Sequence, residues 1–147
     1  MTREEVVTRS EAETEAFGEH FATSLRDSDV VYLIGDLGAG KTCVARGIAR
    51  GRRASERQVA SPTFALLHEY VGSAGEVVLR HLDLYRLVDE AKDLEILGLP
   101  EAVFDAPVLV EWPGTTIRQV LPPTVEVTLA VLDDGSRRIR VDQKPGG

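Results

Sequence analysis

The chain has 147 residues, 43% of them apolar, a formal net charge of −7 and a single cysteine, Cys43. This length suits one domain with its own core, the apolar share excludes a disordered chain, and the acidic balance argues against general attraction to nucleic acid, though not against a local basic patch. The lone cysteine excludes an intrachain disulfide, the opening MTREEVVTRSEAETE lacks the apolar centre of a signal peptide, and no apolar run approaches the roughly 18 residues of a membrane span, so a soluble cytoplasmic protein is expected.

In chain order, Ser10 to Arg26 reads as a helix. Ser10 and Glu13 form a capping box, and Phe17, Phe21 and Leu25 recur on one apolar face. Val30 to Ile34 is a continuous apolar run, as expected of a strand covered on both sides. A helix is predicted from Lys41 to about Arg50, followed by the polar loop GRRASERQVASP, which carries Arg52, Arg53 and Arg57 just after Arg50. Thr63–Val71 and Val77–Leu84 read as two strands joined by GSAG. Glu90–Leu97 reads as a short helix stopped by Gly98, and Pro107–Trp112 as another apolar strand. Val125–Val131 and Arg137–Val141 flank DDGS, a hairpin signal, and the tail from about residue 142 to 147 should fray. Interleaved helices and strands predict a single α/β domain over residues 1–147, with a mixed sheet because of the two hairpins.

The stretch GDLGAGKT, Gly35 to Thr42, fits the pattern G-x-x-x-x-G-K-[ST]. Its glycines let the backbone wrap phosphate oxygens, successive amide N–H groups form an anion nest, and the helix that follows adds its positive dipole end. Lys41 then reaches the β- and γ-phosphates, and the Thr42 hydroxyl can ligate magnesium. A strand before and a helix after are what this mechanism requires.

A nucleotide site also needs a carboxylate near the magnesium, at the end of a neighbouring strand. Asp83 in VVLRHLDLYR and Glu111 in VLVEWPG both sit where an apolar run meets a loop. A solvated strand end would account for either alone; two beside a phosphate loop point to a site. SPTFAL offers Ser61 and Thr63 as switch-like sensors of the γ-phosphate, although an ordinary proline turn fits the spacing as well. The chain has no asparagine, so a guanine-reading Asn-Lys-x-Asp signature is impossible and ATP becomes the default. His81 lies two residues before Asp83 and shares its strand face. Trp112 would point away from Glu111 if the strand continues through both, and so pack beneath the site. The histidines show no metal spacing, and the arginine cluster reads as a solvated loop, a partner patch or an arginine finger.

GDLGAGKT, SPTFALLHEY, HLDLYRL, DLEILGL and VEWP, in this order and spacing, resemble the TsaE family from about Ser10 to Glu126. The resemblance implies a small bacterial P-loop ATPase with a mostly parallel central sheet, antiparallel flanking strands and helices on both faces. It implies a role in making the threonylcarbamoyl modification on the tRNA adenosine next to the anticodon. There the family acts on the transferase TsaD and its partner TsaB as an ATP-driven switch, with tRNA met only through that complex. Carried onto this chain, the nucleotide contacts are Gly35, Asp36, Leu37, Gly38, Ala39, Gly40, Lys41, Thr42 and Cys43, with Glu11 at the start of the first helix approaching the adenine. Thr42, Asp83 and Glu111 match magnesium positions; Lys41, Asp83 and Glu111 are the implied catalytic set of a weak magnesium-dependent ATPase. Ser61 and Thr63 match a switch-like loop. Cys43 departs from the family's usual Thr or Ser, so its side chain is assigned no phosphate contact. Gly114 replaces a common acid, and RGRRASER is unusually basic. Two rival functions are a small-molecule or nucleotide kinase and a module that holds ATP without cleaving it.

Overall fold

In a computed structural model of the chain, residues 2–55, 58–61, 64–85, 92 and 105–144 are described. Their elements are β1 (Thr2–Thr8), α1 (Glu11–Ala22), β2 (Val30–Ile34), α2 (Lys41–Gly51), β3 (Gln58–Ser61), β4 (Phe64–Val71), β5 (Val77–Asp83), β6 (Val108–Glu111), α3 (Thr115–Val120), β7 (Val125–Val131) and β8 (Arg137–Gln143). The strands form one sheet in the order β1-β8-β7-β2-β6-β5-β4-β3. The four central strands, β7, β2, β6 and β5, are mutually parallel. Antiparallel pairs extend the sheet on each side, through β8 to β1 and through β4 to β3. This is the α/β architecture that the interleaved pattern and the two hairpins predict.

The run VVYLI explains why β2 sits at the centre. Val31 and Leu33 face one side, where they join Phe21 and Leu25 of the α1 region, Val44 and Ile48 of α2, and Leu109 and Val127. Val30 and Tyr32 face the other, with Ile117 of α3, Leu82, Val108 and Val110. An uninterrupted apolar strand is thus consumed on both faces, which only a strand between two helical layers can achieve.

Five elements differ from expectation. α1 begins where the cap predicts: Ser10 Oγ accepts from Glu13 N–H at 3.1 Å, and the Glu13 carboxylate accepts from Arg9 N–H at 2.8 Å. It ends at Ala22 rather than Arg26, because the Thr23 and Ser24 hydroxyls donate to the His20 and Phe21 carbonyls and close the last turn. β1 arises from the charged opening TREEVVT, β3 from within the polar loop, and α3 from TTIRQV. β8 runs through Gln143, so Asp142 and Gln143 are paired with β1 and β7 rather than frayed. The helix expected at Glu90–Leu97 lies outside the described residues.

Candidate functional site

β2 ends at Ile34 and α2 starts at Lys41, so Gly35 to Gly40 must reverse the chain in six residues. Gly38 and Gly40 do so with φ of 81° and 109°, in the left-handed region that side chains disfavour. Ala39 is buried beneath the turn, while Asp36, Leu37 and Gly38 are exposed. Gly40 is the N-cap of α2 and has no side chain to satisfy the first amides of the helix. Those amides are free of a side-chain cap, and a helix N-terminus of this kind is suited to an anion.

The Lys41 ammonium is folded back into the protein. It donates to the Gly35 carbonyl at 2.6 Å and lies 3.5 Å from the centre of the Trp112 ring. Burial pushes its pKa below the ordinary lysine value, against the opposing pull of Glu111, Asp83 and Asp36. Trp112 reaches it because β6 stops at Glu111: Trp112 itself has φ of 56°, which swings the indole over the loop, with Tyr85 tilted against it at 4.8 Å. The strand does not continue through Trp112, and the ring meets the site lysine instead of packing beneath the site.

Asp83 and Glu111 end adjacent parallel strands and are direct partners in register; Leu33, just before the loop, pairs with Glu111 from the other side. The two acids therefore share one edge and one face of the sheet with the cradle. Their surroundings differ. Asp83 is exposed and accepts from Tyr85 N–H at 3.1 Å. Glu111 is only 8% exposed, and its Oε2 lies 2.6 Å from His81 Nε2. Tyr70 stacks on the His81 ring, and burial, then the Glu111 charge, raises the Tyr70 phenol above its usual pKa.

Two clefts meet at Thr42. One, of about 420 Å³, lies between the loop and the start of α1 and includes Arg9, Ser10, Glu11, Cys43 and Arg137. The other, of about 460 Å³, opens on the far side of α2 onto Tyr70, His81 and Glu111. Glu11 thus lines the same cleft as Gly38, Gly40 and Lys41. Arg137 was not singled out by the sequence: its guanidinium donates to the Gly38 carbonyl at 3.3 Å. The only signal was RR directly after the hairpin turn. The wall of the first cleft is held by a 2.7 Å hydrogen bond between the buried Thr8 and Thr14 hydroxyls, which ties β1 to α1.

The remaining expectations fare differently. Ser61 ends β3, and Thr63 lies outside the described residues, as does Arg57. Arg50 pairs with Glu15, and Arg52 donates to Asp27 and to the Val78 carbonyl, so acids of α1 and the turn after it neutralise this part of the arginine cluster. No helix among the described residues is long and apolar enough to cross a membrane. No group of three or more His, Cys, Asp or Glu residues gathers around a common point among the described residues. A magnesium ion needs only one or two carboxylates together with water and phosphate oxygens, and Asp83 and Glu111 are the carboxylates that the sheet sets side by side.

The model of a protein family described as "Threonylcarbamoyl adenosine biosynthesis protein TsaE" matches residues 8–139. A Rickettsia bellii protein named tRNA threonylcarbamoyladenosine biosynthesis protein TsaE is 38% identical over 138 residues, covering 93% of each chain. The protein of the same name from Treponema pallidum is 39% identical over 137 residues, covering 92% of this chain and 97% of that one. The crystal structure of Bacillus subtilis YdiB superposes with a TM-score of 0.71 at 27% identity, over 97% of this chain and 86% of the other. With its glycine-rich loop, its paired acids and a match spanning nearly its whole length, the chain belongs to the TsaE family.

Proposed function

We propose that the chain is a magnesium-dependent ATPase serving tRNA threonylcarbamoyladenosine biosynthesis, and that it acts on the TsaD–TsaB transferase complex as an ATP-driven switch. The biosynthetic role follows from the names its relatives carry. The observation that supports the ATPase is the meeting of Asp83 and Glu111 at one end of the sheet through the β2–β6–β5 register, where their charges act on Lys41 and where Thr42 lines the same cleft as Glu111.

The geometry supports a division of labour. The first cleft, with Glu11 and Arg137, takes the nucleoside end of ATP, and the loop amides hold the phosphates. Lys41 leaves the Gly35 carbonyl to meet the β- and γ-phosphates. Magnesium, when bound, neutralises phosphate charge; Thr42 and Asp83 would hold it, directly or through water. Glu111, on the far side of Thr42, orients the attacking water and accepts its proton. A kinase is less well supported, because Arg50 and Arg52, candidates for closing over donor phosphates, are already engaged by Glu15 and Asp27.

The test is co-purification with the TsaD–TsaB pair, with and without ATP and magnesium, together with phosphate release by the chain alone and in the complex. ATP-dependent association and a changed hydrolysis rate are expected. Fast hydrolysis indifferent to the pair would refute the switch.

A further inference from the structure

Glu111 is a buried carboxylate with two oxygens, and among the described residues one of them, Oε2, is engaged. Its Oε2 is 2.6 Å from His81 Nε2, while both side chains are little exposed, at 13% for His81 and 11% for Glu111. An ionised carboxylate can only accept, so the histidine donates, from Nε2–H. The ring that donates is itself held. Tyr70 stacks on it with ring centres 6.5 Å apart and planes within 22°. His81 also stands inside the sheet, paired with His68 on β4 and with Leu109 on β6. The second cleft opens onto His81, Glu111 and Thr42 together.

We propose that His81 is a positioning residue for ATP hydrolysis: its Nε2–H fixes the Glu111 carboxyl through Oε2 and leaves Oε1 to orient the attacking water. The inference rests on the ATPase reading given above. A free glutamate side chain has three rotatable bonds; one charge-assisted hydrogen bond to a stacked ring removes most of that freedom. The chemistry needs this, because a water held a fraction of an ångström from its line of attack loses much of its rate advantage. His81 acts on the water through Glu111.

The test compares single-turnover ATP hydrolysis by the full chain with His81→Phe, His81→Gln, Glu111→Ala and the His81→Phe/Glu111→Ala double variant. Phe keeps a ring for Tyr70 but lacks the donor; Gln lacks the ring but carries an N–H at similar reach. His81→Phe should slow the maximal rate roughly ten- to a hundredfold, the loss of one hydrogen bond to a charged group, with ATP affinity within about threefold of the parent. Gln should recover most of the rate. In the Glu111→Ala background His81→Phe should add nothing, since residues acting as a unit are non-additive. A parent-like rate for His81→Phe with a slow Glu111→Ala would overturn the positioning role and leave the ATPase reading intact. So would a Gln variant as slow as Phe, or a further loss in the double variant. A parent-like rate for Glu111→Ala would remove the roles of Glu111 and His81 together, whereas absence of phosphate release from the parent protein would remove the ATPase reading itself.

Discussion

The Lys41 ammonium sits 3.5 Å from the centre of the Trp112 ring while donating to the Gly35 carbonyl, so the protein itself satisfies the lysine charge. A phosphate must draw the ammonium away from the indole, whose face attracts cations at this range. Trp112 emission should therefore change when ATP and magnesium are added, and change less with ADP. Lys41→Met should lower ATP affinity roughly ten- to a hundredfold, shift the emission without nucleotide, and abolish the response. Unaltered emission at saturating ATP, with binding confirmed by calorimetry, would mean the lysine never leaves the ring.

The different settings of Asp83 and Glu111 predict different losses. Glu111→Ala should reduce hydrolysis about a hundredfold or more with ATP binding preserved, as for removal of a group that manages the proton. Asp83→Ala should instead raise the magnesium concentration needed for half-maximal rate. A magnesium titration of both variants separates the roles; identical curves would argue against the assignment.

α1 and α2 touch backbone to backbone. A Cβ built on Gly47 would overlap the Glu15 carbonyl oxygen of α1, and one on Gly18 would overlap the Val44 carbonyl oxygen of α2. Gly47→Ala should destabilise the protein by about 1–3 kcal/mol in urea unfolding, because overpacking outweighs the roughly 1 kcal/mol that alanine adds to a helix. It should also weaken ATP binding, since α1 carries the Ser10–Glu11 wall of the first cleft. An unchanged urea midpoint would show that the helices separate freely.

Asp142 accepts from Arg3 Nε at 2.6 Å and from Arg140 Nε at 3.0 Å, and the hydrogen bond from Arg3 is the main cause that holds its pKa below the ordinary carboxylate value. A lowered pKa means the native state favours the charged form. The resulting stability is present above the usual aspartate range and lost as pH falls through the lower native value. The wild-type protein should melt above Asp142→Asn at pH 7, and the gap should narrow below about pH 4. A gap constant across that range would exclude the Arg3–Asp142 pair as its source.

The parts legible from sequence were those whose conformation is decided within a few residues. GDLGAGKT had to be a cradle because positive φ, strand exit and helix entry all lie inside eight residues. VVYLI had to be a central strand because each of its residues is apolar. The DDGS hairpin and the Ser10 cap are local in the same way. β1 was not legible: TREEVVT has no clear alternation, and it is a strand because β8 offers it a ladder and Asp142 an anchor for Arg3. Arg137 reaches the cradle only because the β7–β8 hairpin lies beside β2, 99 residues away in sequence from Gly38. His81 and Glu111 are 30 residues apart, and nothing in either stretch announces their hydrogen bond. It exists because β5 and β6 are parallel neighbours, and strand order is settled by how the whole set of apolar faces is buried at once. Sequence by itself therefore determined the glycine-rich loop and the central strand that leads into it, through short-range backbone preference. Which side chains stand beside that loop was decided by the sheet, because register is a property of two strands and never of one.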